Sequence, residues 1–596
     1  MTATDLTAED VAWDLETLLP AAGDAGVDAL LAEADEVTTR AAKFRGRIAD
    51  CSTDEIVDLV ALLASLQDLV GRAGNYASLR FSTDTADPAR GALMMRVEER
   101  ATAMSTQLVF FELEWAALDD AAVDAHLADP RLEYARHHLR SVRRYRPHLL
   151  SEPEEVVLTE KTVTGTSAWV RLFEELDSAI TVELDGESQP LEAGLSRLGS
   201  PDPDVRRTAA EAVTAGLAPG LRTRAYVFNT LLADKAIDDR MRKFPSWIAG
   251  RNLANEASDE SVAALVTAVQ GRYSIPQRWY RLKARLLGVD RVRDYDRMAS
   301  IASSEAQFGF GDARELVLDS YASFSPDLAD IARKFFDEQW IDAPVRPGKR
   351  GGAFCAYTVP SHHPYVLLNW TARRRDVLTL AHELGHGLHA YLARPQGVFH
   401  QSTPLTLAET ASVFGETVTF GRLLSATTDP AERLALLAEN LEGQIATVFR
   451  QVAMNRFEDA VHNARRDSGE LAVDDFNEHW IATQSAMLGD SVELTEGYRT
   501  WWSYIPHFIA TPGYVYAYAY GQLLALAVYA QYEERGSEFV PRYLELLTAG
   551  GSMAPEDLGT IVGVDLSDPA FWDGGLDIVE RQLALTEAAA AETGRL

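Results

Sequence analysis

Residues 371–395, TARRRDVLTLAHELGHGLHAYLARP, limit the fold more tightly than any other stretch of this chain. Val377, Leu380, Leu384, Leu388 and Tyr391 recur at steps of three and four, which is the spacing of one apolar helix face. Pro395 stops that helix, because its ring cannot continue the hydrogen-bond ladder. A helix with such a face must be covered on that side by other elements. His382 and His386 stand on its other side, one turn apart, and at about 100° per residue their directions differ by only about 40°. Two imidazoles so placed can grip one metal ion, and Glu383 lies between them in sequence. This is the H-E-x-x-H arrangement of zinc peptidases, with the glutamate as general base.

A catalytic zinc takes three protein ligands and leaves a fourth position open. His389 shares the histidine face, but three successive ligands on one straight helix fan out along its axis, so a packing role suits it better. Residues 402–420, STPLTLAETASVFGETVTF, read as a second helix with Pro404 near its start. Glu409 and Glu416 point in directions about 20° apart on it, with Ser412 about 60° away on the same face. Either glutamate can approach the ion from the side, and spacing does not choose between them. His362 and His363 form a loop pair after Ser361 and are left out of the metal site.

A chain of 596 residues is too long for one core, so two or more lobes are expected. Helical periodicity runs through 54–72, with Val57, Val60, Leu63, Leu66 and Leu69, through 92–118, and again in the tail after Ile578. Two β signals interrupt it. Ile180, Val182 and Leu184 alternate into Asp185-Gly186, a hairpin turn pair. Residues 353–369 hold the short apolar run 365–368, read as an extended sheet edge on which a peptide backbone could pair. Gly351 and Gly352 would let such a backbone come close. The expected fold is mainly α with one or two small sheets or hairpins. The Ser200-Pro201-Asp202-Pro203 loop suggests a boundary: an N-terminal helical lobe or lid over 1–200 and a catalytic lobe over 201–596.

Lys and Arg number 56 against 89 Asp and Glu, a formal net charge of −33. Phosphates repel such a surface within a Debye length of about 8 Å, which argues against nucleic acid and anionic membrane as partners. No GxxxxGK[ST] phosphate loop is present. Cys51 and Cys355 are distant in sequence and form no CxxC pair, and the first residues show no basic-then-apolar leader, so a reducing, cytoplasmic setting is expected. Residues 501–532 carry no Asp, Glu, Lys or Arg, a length that could span a bilayer. Pro506, His507, Pro512, Gly513 and a crowd of tyrosines make a helix buried in the protein the better reading.

Five segments together resemble peptidase family M3, of the oligoendopeptidase F type. They are HELGHGLH (382–389), AETASVFGE (408–416), KRGGAFCAYTVPSHHPYVLLNW (349–370), PHFIATPGYVYAYAYG (506–521) and WDLETLLP (13–20). The resemblance implies a nearly all-helical, two-lobed clam with a deep channel that admits short unfolded peptides. It also implies one zinc ion per chain, ligated by His382, His386 and Glu409, with Glu416 behind them and Glu383 as base. In this family a histidine and tyrosines contact substrate and stabilise the transition state, which implies His507, Tyr514 and Tyr518 here. If that run is helical, Tyr514 and Tyr518 share one face and Tyr516 and Tyr520 another. The expected function is a zinc endopeptidase acting inside short oligopeptides. The alternative is a dipeptidyl carboxypeptidase or other zinc exopeptidase, which needs an Arg or Lys to capture a terminal carboxylate. A non-enzymatic helical binding protein is a third reading, under which Glu383 would be dispensable. The sequence assigns no oligomeric state.

Overall fold

The computed structural model describes residues 6, 8–162, 164–301 and 307–595. Helices hold 72% of the chain, which settles the class as mainly α. The described strands form a three-stranded sheet and two two-stranded ones. The expected hairpin is present: Thr181–Leu184 pairs antiparallel with Glu187–Pro190, and Leu184 faces Glu187 across the turn. Asp185 and Gly186 both take positive φ, 56° and 83°, as a two-residue turn between twisted strands demands. Val182 and Leu184 are buried while Thr181 and Glu183 face water, which is the period-two pattern.

The chain packs as two compact units, each assembled from three separate stretches. The first comprises Met1–Arg146, Glu305–Leu423 and Gln531–Asp565; the second comprises Pro147–Ser304, Leu424–Ala530 and Leu566–Leu596. Residue 200, where the sequence suggested a boundary, lies inside the second unit. Helices Leu191–Arg197 and Pro203–Leu217 flank it, and Leu191, Leu198, Ala209 and Val213 belong to one apolar core. The Pro-rich loop is thus a turn between packed helices. That core also gathers Phe228, Phe457, Phe476, Trp480, Trp502 and Phe508.

In the first unit the N-terminal segment is strapped to the three-stranded sheet by its backbone. Ala343 N–H donates to the Val11 carbonyl (3.0 Å), Asp14 N–H donates to Gln339 (3.0 Å), and the Tyr365 hydroxyl donates to the Asp14 carbonyl (2.7 Å). Strand Tyr365–Trp370 is the centre of that sheet, parallel to Ile341–Pro344 and antiparallel to Phe354–Ala356. The sequence reading had placed 365–368 on the edge. Both its edges are taken, and Tyr365, Val366, Leu367 and Leu368 are buried on both faces, the signature of an interior strand. The outer strand is Phe354–Ala356.

Helix Arg374–Ala393 follows. It starts where Asp376 Oδ2 accepts the backbone N–H groups of Thr371 (2.7 Å) and Arg373 (3.1 Å), a carboxylate placed at the positive end of the helix. Val377, Leu380, Leu384 and Leu388 are buried, each contributing about 1.5–3 kcal/mol, and they lock the helix by the face the sequence predicted. No described helix is long and apolar enough to cross a membrane. Residues 516–528 are mostly buried, as read for the uncharged stretch.

Candidate metal centre and aromatic cluster

Helix Leu405–Ala426 crosses helix Arg374–Ala393 at very short range. A Cβ at Gly385 would stand 2.6 Å from Ser412 Cα and press on the Ala411 carbonyl. A Cβ at Gly415 would run into the Tyr321 ring, 2.8 Å from its Cζ, and stand 3.2 Å from the Ala381 carbonyl. The Tyr321 hydroxyl already donates to that carbonyl (2.8 Å) from a buried position. Two glycines and a buried tyrosine therefore permit the approach that turns one face of the second helix toward the histidines.

His382, His386 and Glu409 converge, with their ligand atoms all within 4.8 Å of one another. Glu409 Oε2 lies 3.3 Å from His382 Nε2 and 3.6 Å from His386 Nε2. Two ligands at about 2.0–2.2 Å from a tetrahedral ion stand about 3.4 Å apart, so the donor set fits zinc. Among the described residues no other such group of His, Cys, Asp and Glu occurs. The outer groups are arranged as well. His382 Nδ1 donates to Glu416 Oε2 (3.2 Å), which leaves Nε2 turned to Glu409. Ser412 donates to Glu409 Oε2 (2.7 Å), and the Tyr357 hydroxyl lies 3.4 Å from His386 Nδ1. Glu409 and Glu416 thus take different places, one toward both histidines and one behind His382. His389 is buried and stays outside the group.

Glu383 is 7% exposed and lines the same cavity of about 470 Å³. Burial pushes its carboxyl up to about 7; the charge on His382 opposes this and Glu409 adds to it. Burial works against charge on His382, but the Glu416 hydrogen bond and the carboxylates of Glu409, Glu416 and Glu383 outweigh it and hold His382 up at about 9. Burial would raise Glu409, yet the two histidines and Ser412 keep it below the usual carboxylate range. Phe354, Cys355, Tyr357 and Ser402 also line this cavity, and among the described residues no Lys or Arg does. Cys355, Tyr357 and Tyr321 escaped the sequence reading as contributors. The first two lie in the quoted 349–370 motif; Tyr321 carries no local signal at all.

The second unit gathers the other predicted residues. His507 opens the short helix His507–Ala510, and helix Tyr516–Arg535 follows. Tyr514 therefore sits in the turn before the helix rather than within it. His507 stacks on Tyr514 (ring centroids 5.9 Å apart), meets Tyr518 edge-on (6.0 Å), and has Nε2 3.3 Å from the Tyr518 hydroxyl. Tyr514 and Tyr518 are partly exposed, whereas Tyr516 and Tyr520 are fully buried. Asn255 donates to the Tyr516 hydroxyl (2.9 Å). Within the helix Tyr518 is turned away from Tyr516 and Tyr520, as its period requires, and Tyr514 joins Tyr518 from the preceding turn, with ring centroids 5.1 Å apart. Burial, joined by the Arg450 charge, keeps the His507 imidazole below its ordinary range.

The model of peptidase family M3 matches residues 197–578, and that of oligopeptidase F matches residues 114–181. Oligopeptidase PepF of Bacillus subtilis is 26% identical over 97% of this chain and 87% of its own. Group B oligopeptidase PepB of Streptococcus agalactiae is 26% identical over 98% of both. The crystal structure of oligoendopeptidase-F from Enterococcus faecium superposes with a TM-score of 0.71, at 21% identity, over 95% of this chain and 100% of that one. A solved chain from Chlamydophila abortus reaches a TM-score of 0.85 at 22% identity over 99% of each. These two show the shared fold. With the family model covering well over half of its length, this chain belongs to peptidase family M3 and is a metallopeptidase of the oligoendopeptidase F type.

Proposed function

We propose that this metallopeptidase holds one zinc ion per chain on His382, His386 and Glu409 and hydrolyses internal bonds of short peptides. The observation that carries this reading is the convergence of those three side chains around a cavity that Glu383 also lines. A zinc ion held by His382, His386 and Glu409 would supply Lewis-acid chemistry, polarising a peptide carbonyl and making water a stronger acid near neutral pH. Glu383, which lines the same cavity, is the group placed to take the proton of the attacking water and pass it to the leaving amine. Glu416 fixes the tautomer of His382, and Ser412 fixes the rotamer of Glu409. His507, Tyr514 and Tyr518 contact the substrate and donate to the developing oxyanion. Their clustering and partial exposure support that role.

Substrate backbone pairs along the outer strand Phe354–Ala356, whose residues Phe354 and Cys355 line the cavity. Gly351 and Gly352 leave the approach open, since a Cβ at either would meet nothing within 4 Å. Cleavage inside the peptide is favoured over carboxyl-end removal because, among the described residues, no Lys or Arg lines the cavity. The two free cysteines, Cys51 and Cys355, fit a cytoplasmic setting. The test is a short internally quenched peptide with both ends blocked, with metal counted per chain and products read by mass spectrometry. One zinc and an internal cut support the proposal. Cutting that requires a free C-terminus would replace it with the exopeptidase reading.

A further inference from the structure

Helix Gln451–Ser468 carries Glu458 at 0% exposure within the second unit. Its Oε1 accepts the Gly513 N–H at 2.8 Å, while Oε2 finds no partner among the described residues. Arg251 Nε donates to the neighbouring Pro512 carbonyl at 3.1 Å. Gly513 has φ +74°, and a Cβ there would meet Ile248 Cδ1 at 2.5 Å and Arg251 Cβ at 3.3 Å. The turn is therefore seated with no space to shift.

From this turn an unbroken run of backbone bonds leads in both directions. Thr511 N–H donates to His507 (3.1 Å), Tyr514 N–H to Thr511 (3.1 Å), and Ala517 N–H to Tyr514 (3.0 Å). The Pro512–Gly513 turn is the link that brings Tyr514 onto His507. We infer that Glu458, together with Arg251, is a positioning residue: it clamps the Pro512–Gly513 turn and so sets Tyr514 against His507. This inference rests on the reading that His507 and Tyr514 act on the substrate.

A buried carboxyl is an expensive way to fill space, since even its neutral form gives up hydrogen bonds to water that only partners can replace. An apolar side chain would pack the same volume at lower cost, so the retained acid points to the one bond it makes. Burial pushes the carboxyl up to about 8, against the pull of Gly513 N–H, Arg251 and Arg456. A neutral acid and an amide present the same acceptor, which supplies the conservative variant.

The experiment is a double-mutant cycle on kcat and KM in the metal-loaded enzyme, with metal content and melting temperature recorded for every variant. Glu458→Gln is expected to stay near wild type. Glu458→Leu leaves a buried N–H unpaired and is expected to lower kcat about 10–100-fold with KM little changed. Tyr514→Phe is expected to lower kcat on its own, and adding Glu458→Leu to it should cost little more. Additive losses overturn the inference, and so does a Glu458→Gln as poor as Glu458→Leu. If Tyr514→Phe and His507→Ala both leave kcat unchanged, the reading of the aromatic cluster falls and this inference with it. Should Glu458→Leu fail to fold, Arg251→Met takes its place in the cycle, with additivity again the overturning result.

Discussion

In the first unit His382, Glu383, His386 and Glu409 crowd ionisable groups around one cavity, whereas in the second unit His507 meets the rings of two phenols, Tyr514 and Tyr518. The two arrangements are held by different means. A crossing of two helices, permitted by Gly385 and Gly415, brings the charged group together. A turn with glycine in left-handed backbone brings the aromatic group together. Their energetics differ too. Buried charges are costly alone and become tolerable through mutual pairing, Glu416 behind His382 and Ser412 beside Glu409. Packed rings bury apolar surface at little desolvation cost, and the Tyr518 hydroxyl lies 3.3 Å from His507 Nε2. Under the proposed function the first group holds the ion and the second meets the substrate.

Glu383→Gln probes that division hardest, because it removes a base without removing a ligand. We expect a loss of about 10²–10⁴ in kcat with metal content unchanged, measured on the quenched peptide and by metal analysis. Loss of the metal in this variant would make Glu383 part of the ion-holding group.

Tyr518→Phe, or His507→Ala, should cost about 10²–10³ in kcat, again with a full complement of metal. A drop in metal content would break the comparison, since the aromatic cluster would then share in holding the ion.

Glu416→Gln should act on the ion first, weakening zinc affinity about 10–100-fold in competition with a chelator. An unchanged affinity would mean that the 3.2 Å bond to His382 Nδ1 does nothing for the metal.

The last test is a pH slope, mild at each single pH step. Because His382 is held up at about 9, the metal-free protein keeps its proton there below about pH 9, and zinc must displace it. Apparent affinity should therefore rise about tenfold per pH unit from neutrality to about pH 9 and level off above. The same titration on His507→Ala should show the same slope, since the aromatic cluster lies outside the competition. A flat profile in the wild type would contradict the proton at His382.

Where an element's own period decides, the sequence was enough: the buried face of helix Arg374–Ala393, the hairpin at Asp185-Gly186, and, within helix Tyr516–Arg535, the separation of Tyr518 from Tyr516 and Tyr520. Each follows from which way successive side chains point along one helix or strand. Tertiary structure decided the rest. It placed Glu409 toward both histidines and Glu416 behind one, although the two leave their helix in nearly the same direction. It put 365–370 in the middle of a sheet and joined the N-terminal 146 residues to 305–423 rather than to their neighbours in sequence. These outcomes depend on how closely two helices can cross and on which strand fills an edge. Both are set by contacts between residues far apart in the chain, such as Gly385 with Ala411 and Val11 with Ala343, which no local periodicity encodes.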